Sequence, residues 1–143
     1  MVVLFLTGFM AAFAFGMLYR VPQNQLLSAG IIGGLGWVIA SESSMYVSQV
    51  VAVFIGAASV ATLSEFWARR AHQPATLFLI PGIIPLVPGG DAYVTMLSFL
   101  QGDYVMGLAQ LVSTVFLAGA IGGGIIVISS IFRYYIPSRA KIG

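Results

Sequence analysis

The sequence predicts an all-α, polytopic membrane protein of about five spans, one of them a proline-broken, discontinuous helix. Three observations lead there. The chain has 143 residues, 59% hydrophobic and 7% charged, with a mean hydropathy of +1.02. Soluble domains carry roughly 25% charged residues, and a soluble domain this small has too high a surface-to-volume ratio to hide so much apolar surface. The apolar residues fall into runs close to the ~20 needed to cross a ~30 Å hydrocarbon core. One of these runs holds Pro81, Pro85 and Pro88 together with Gly82, Gly89 and Gly90, and no straight helix passes through such a set.

The elements follow in order as a single transmembrane domain, 1–143. Span 2–19 closes at Arg20 and Pro22 in a short polar turn; with no basic residue before its apolar run, it reads as a retained span and not a cleaved signal peptide. Span 26–40 is shorter and rich in glycine, and Ser41-Glu-Ser-Ser44 is the expected turn after it. Span 45–67 ends in Trp67 followed by Arg69 and Arg70, an aromatic anchor and then charge, as at a membrane interface. Segment 75–100 is the broken span, Gln101-Gly-Asp103 turns the chain, and span 104–132 ends near Arg133, Arg139 and Lys141. Trp37, Trp67, Tyr104, Tyr134 and Tyr135 lie near these boundaries and read as interfacial anchors. Small residues at helical spacing (Gly30, Gly33 and Gly34; Ala57 and Ala61; Gly119, Gly122, Gly123 and Gly124) suit close helix packing.

Charge sets the expected orientation. If Arg20 is cytoplasmic and 75–100 crosses once, all six basic residues fall on one side, with Glu42 and Asp103 on the other. That places the N-terminus outside and the C-terminus inside. The net charge of +2 is too small for nucleic-acid binding, and the absence of cysteine excludes thiolate metal sites and cysteine catalysis. No cofactor is expected. Asp91 and Asp103 lie twelve residues apart, some 18 Å along a helix, too far for a carboxylate dyad. An enzyme is not expected.

The broken segment carries the chemistry. Prolines at 81, 85 and 88 remove the usual partners of the Leu77, Pro81 and Ile84 carbonyls. In hydrocarbon such groups are tolerated inside protein or along a watery cavity. Discontinuous helices of this kind mark binding sites in transporters, and an acid at membrane depth, here Asp91, is a functional candidate.

The stretch Phe78-Leu-Ile-Pro-Gly-Ile-Ile-Pro-Leu-Val-Pro-Gly-Gly-Asp-Ala-Tyr93, approached through Trp67-Ala-Arg-Arg-Ala-His-Gln-Pro-Ala75, resembles the proline-rich signature of the threonine/serine exporter family, in its small-subunit type. The resemblance implies a small membrane subunit of a secondary transporter in the cytoplasmic membrane, acting with a larger membrane subunit. The implied substrates are small polar carboxylic metabolites: threonine and serine, or a dicarboxylate such as succinate. Pro81, Gly82, Pro85, Pro88, Gly89 and Tyr93 carry over as motif positions, and Gly90 joins them as a candidate substrate position.

Asp91 rests on its own chemistry. A half-helix starting near it offers the N–H groups of Ala92, Tyr93 and Val94 to an anionic group, and the freed carbonyls of Pro81 and Ile84 to a cation or a substrate ammonium. The plainer reading makes Asp91 the N-cap of that half-helix. Both stay open, as does a proton-coupling role. Glu65 lies one turn before Arg69, which suits an interfacial ion pair, and is the second candidate for proton or ion coupling. His72 reads as a solvated or headgroup-facing residue. Ser59, Thr62, Ser64, Ser113 and Thr114 can bond a polar substrate or, more commonly, their own helix carbonyls. The competing reading is a structural or assembly membrane protein, with the broken segment a packing kink and Asp91 a cap. Homo-oligomerisation is open as well.

Overall fold

The computed structural model describes residues 1–135, so Arg139 and Lys141 lie outside the described residues. The protein is all-helical, with no strand among those residues: α1 (Val2–Leu18), α2 (Gln23–Ser43), α3 (Gln49–Ala71), α4 (Thr76–Ile83), a 3₁₀ turn (Ile84–Leu86), α5 (Gly89–Leu100) and α6 (Tyr104–Tyr135). Among the described residues three helices, α2, α3 and α6, are long and apolar enough to cross a membrane. A fourth is counted if the segment from Thr76 to Leu100, bent by 49°, is one span. The 17 residues of α1 form a shorter apolar helix, about 25 Å long at 1.5 Å per residue.

Several boundaries differ from the sequence reading: α2 starts at Gln23 and not at 26, α3 ends at Ala71 and not at 67, so that Arg69 and Arg70 lie within it, and α6 runs to Tyr135 and not to 132. Ser41 to Ser43 are not a turn but the last turn of α2, and the break falls after them, before α3 starts at Gln49. Trp37 therefore lies inside α2, half-buried, with its Cβ against Gly8 of α1, and is not a boundary anchor. The other turns are sharp. Arg20, His72 and Gly102 take left-handed backbone, φ 57°, 54° and 81°, and glycine does so without the steric penalty of a Cβ.

The helices run side by side as α1, α2, α3, α6 and α5, with α4 set against α2 and α3. Glycines fix the α1–α2 seam. The missing side chain of Gly34 is met at 2.8 Å by the Phe5 ring, that of Gly30 at 2.7 Å by Phe9, and that of Gly16 at 2.7 Å by Leu26. With no hydrophobic drive between helices in lipid, such dispersion contacts are a main source of association. The helix α5 has its one extensive contact with α6 among the described residues.

Candidate functional site

The site begins where α4 enters the bundle. Phe78, Pro81 and Gly82 are buried, and the place of a Gly82 side chain lies 2.9 Å from Val60 of α3 and 3.3 Å from Ile32 of α2. The corresponding place on Gly33 lies against Ala12 of α1 and 3.3 Å from the Gly82 carbonyl oxygen. Three helices thus meet at small residues, so the break begins, at Pro81 and Gly82, in a closely packed part of the molecule.

Past Pro81 the chain tightens instead of opening. The Ile84 N–H donates to the Pro81 carbonyl, Val87 N–H to Ile84 O at 3.2 Å, and Gly89 N–H to Val87 O at 2.8 Å. The carbonyls of Pro81 and Ile84, expected to be free, are therefore paired. A 3₁₀ turn supplies i+3 donors where proline removed the i+4 donors. Pro85, in this turn, and Pro88, just after it, are half-buried.

The second half-helix starts earlier than expected. Its N-cap is Pro88, and Ala92 N–H already donates to Pro88 O at 3.0 Å. The backbone donors without a backbone partner are those of Gly90 and Asp91, not Ala92, Tyr93 and Val94. Asp91 is the third residue of the helix and bonds no cap N–H, so it is not the N-cap. The acid that caps a helix is Asp103, whose Oδ1 accepts from Met106 N–H at 3.1 Å at the start of α6. Asp91 still lies in a first turn, where the helix dipole favours negative charge.

The predicted positions therefore separate into two groups. Pro81 and Gly82 are packed inside; Gly89, Gly90, Asp91 and Tyr93 are exposed, Tyr93 by 67%. No atom comes within 4 Å of a side chain built at Gly89 or Gly90. Glu65 is not brought to Asp91. It is half-buried and pairs with Arg69 at 3.4 Å, while the Arg69 guanidinium lies 4.7 Å from the Phe132 ring centroid. The 3₁₀ turn meets α3 at Gly56, where Leu86 lies 3.2 Å from the place of a Gly56 side chain, about 13 Å along α3 from Glu65 at the helical rise.

Three polar residues of this region were not singled out from the sequence. Thr95 and Ser98 are the buried residues of α5, and they share one face with Asp91 at i, i+4 and i+7. Thr95 Oγ1 donates to Asp91 O at 2.7 Å, and Ser98 Oγ to Val94 O at 3.0 Å. On α6 the Gln110 side-chain oxygen is buried without a partner. The spacing of Asp91, Thr95 and Ser98 was readable as a polar stripe on an apolar helix. Among the hydroxyls expected to bond their own helix, Ser59, Thr62 and Thr114 do so. Ser64 does not: it is 1% exposed and its Oγ has no partner. Among the described residues no group of three His, Cys, Asp or Glu is placed to hold a metal ion.

Residues 4–131 match the family model described as threonine/serine exporter, ThrE. The chain belongs to the threonine/serine exporter family. That family is one of exporters, not enzymes, and its membership agrees with the apolar helices in making this a membrane protein. The chain is 25% identical over 122 residues to a threonine/serine exporter of Corynebacterium glutamicum, covering 85% of this chain and 25% of that protein. It is 28% identical over 118 residues to a probable threonine/serine exporter of Mycobacterium tuberculosis, covering 79% of this chain and 22% of the relative. The chain thus spans about a quarter of the length of these relatives. No solved structure matches it.

Proposed function

We propose that this chain is the small membrane subunit of a secondary transporter that exports small polar carboxylic metabolites across the cytoplasmic membrane, together with a larger membrane subunit. The substrate is threonine or serine, or a dicarboxylate such as succinate. The observation that carries the reading is the discontinuous helix from Thr76 to Leu100, bent by 49°, with the unpaired N–H groups of Gly90 and Asp91 at the start of its second half. Half-helix N-termini of this kind bind the anionic groups of transported substrates. Pro81, Gly82, Pro85, Pro88, Gly89, Gly90, Asp91 and Tyr93 form the substrate region. Asp91 pairs a substrate ammonium or carries a coupling proton, and Glu65 is the second coupling candidate. Five crossings, with the N-terminus outside and the C-terminus cytoplasmic, complete the reading, the bent pair counting as one crossing and α1 as another.

The burial of Pro81 and Gly82 favours the second reading, a structural subunit in which the break is a packing kink. Efflux separates the two. Cells lacking their own exporters are preloaded with labelled threonine, serine and succinate. They express this chain alone, this chain with the larger candidate subunit, or the pair carrying Asp91→Asn. Efflux from the pair only, lost in the variant at equal membrane abundance, is the expected result, and the solute released names the substrate. No efflux of any of the three from the pair rejects the proposed substrates and raises the structural reading.

A further inference from the structure

The helix α6 has 32 residues, about 48 Å at the helical rise, against a hydrocarbon core of ~30 Å. Its register on α3 is set at Gly124, where an added side chain would lie 2.8 Å from the Phe54 carbonyl oxygen. Further along both helices, Arg69 reaches Phe132, so the two run parallel. The start of α3 at Gln49 then comes level with residues near Gly119, and the stretch of α6 before that point extends past α3. Among the described residues its one extensive neighbour there is α5. Of the apolar stretch of α6, 17% is buried, against 44% in α2.

The uncovered face is continuous. Leu108, Val112, Phe116, Gly119 and Gly122 follow one another at steps of three and four and are exposed or half-buried, and a shallow cleft runs along its first part past Leu108 and Val112. Its glycines differ from those of α1 to α4. Every glycine in α1, α2, α3 and α4 has an atom of another helix within 3.0 Å of its missing side chain, whereas Gly119 and Gly122 have nothing within 4 Å. In those four helices a glycine marks a helix contact, as in small-residue packing generally; outside them, Gly89 and Gly90 at the start of α5 are open as well. Lipid does not explain the face, because glycine offers lipid little contact and is a poor helix former, and because an apolar helix longer than the bilayer core must tilt steeply or project beyond it.

We propose that this face of α6 receives an apolar helix from the part of the exporter that corresponds to the three quarters of the relatives outside the matched segment. The proposal rests on the reading of a two-part exporter. The relatives favour this occupant over a second copy: each joins the matched quarter to a much longer stretch of its own chain.

The chain has no cysteine, so single thiols can be placed at will. Leu108→Cys, Phe116→Cys and Gly119→Cys, with Met10→Cys on the exposed face of α1 as control, are nitroxide-labelled and reconstituted in liposomes. Each is studied alone and with a cysteine-free form of the candidate larger subunit, the membrane protein of the same cell that matches the remainder of the Corynebacterium relative. The expected result is loss of label mobility and of collision with lipid-dissolved oxygen at all three α6 positions when the subunit is present, with Met10→Cys unchanged. If the subunit copurifies while the α6 labels stay as oxygen-accessible as the control, the docking face is wrong and the two-part reading stands. If it does not copurify, the two-part reading fails and the docking face with it. Shielding in the chain alone, with spin–spin coupling between copies, overturns the proposal in favour of self-association.

Discussion

Replacing Gly124 by alanine tests the packing of α3 on α6 at one point. The added methyl would lie 2.8 Å from the Phe54 carbonyl oxygen, 3.0 Å from the Ala58 nitrogen and 3.2 Å from the Ala57 Cβ. The two nearest are backbone atoms inside a helix, which cannot swing aside, so α6 must move off α3. The movement is roughly 0.6 Å, from 2.8 Å to ordinary contact at 3.4 Å. Overpacking of this kind costs about 1–3 kcal/mol. The better helix propensity of alanine returns up to about 1 kcal/mol. The net expectation is destabilisation by about 1–2 kcal/mol, a factor of roughly 5 to 30 in the unfolding equilibrium. The matched control is Gly119→Ala on the same helix, where no atom lies within 4 Å and only propensity changes, so stability holds or rises by up to about 1 kcal/mol. Both variants of the purified chain are unfolded in mixed micelles by raising the SDS fraction, followed by the fluorescence of Trp37 and Trp67. If Gly124→Ala unfolds at the same SDS fraction as Gly119→Ala, the close contact between α3 and α6 is refuted.

Other substitutions probe separate parts of the chain by the same unfolding measurement. Asp103→Ala removes the cap of α6 and is expected to cost about 1 kcal/mol, and a smaller loss from Asp103→Ala than from Asp91→Ala would contradict the assigned caps. Arg69→Ala is expected to cost more than Glu65→Gln, because the first removes the Phe132 contact as well as the ion pair; a pair of this spacing is worth a few tenths of a kcal/mol and an exposed cation–π contact about 0.5–1 kcal/mol. Ser64→Ala removes a buried hydroxyl that has no partner, so stability is expected to hold or rise, and a clear loss would reveal a hydrogen bond at that position.

Composition and periodicity made the all-helical class legible, because charge depletion and apolar run length are properties of the chain itself. The break at Pro81 was equally legible, since a missing N–H acts locally. So was the Glu65–Arg69 pair, set by helical spacing alone. The capping acid was harder to read. Gly89 and Gly90 let α5 begin two residues before Asp91, which moves that carboxylate from a cap to the first turn, while Gly102 turns the chain so that Asp103 meets the next helix. A shift of two residues decides the role, and helix starts are not fixed that finely by propensity. The fate of the Pro81 and Ile84 carbonyls was likewise out of reach, because a 3₁₀ turn recovers partners that a count of α-helical bonds leaves out. The burial of Thr95, Ser98 and Gln110 depends on which helices are neighbours, information that no single segment carries.

The two halves of the broken helix also bear on how the protein is made. Thr76–Leu86 and Gly89–Leu100 hold 11 and 12 residues, about 16 and 18 Å of helix, so neither reaches across a ~30 Å core by itself. Between them lie Val87 and Pro88, and the second half opens with Gly89, Gly90 and Asp91, residues that weaken recognition by the insertion machinery. Ala12 and Gly33 offer Gly82 of this segment a seat only after α1 and α2 have paired. Neither half is long enough to be held in the bilayer by its own length, so the place of this segment depends on the helices packed against it.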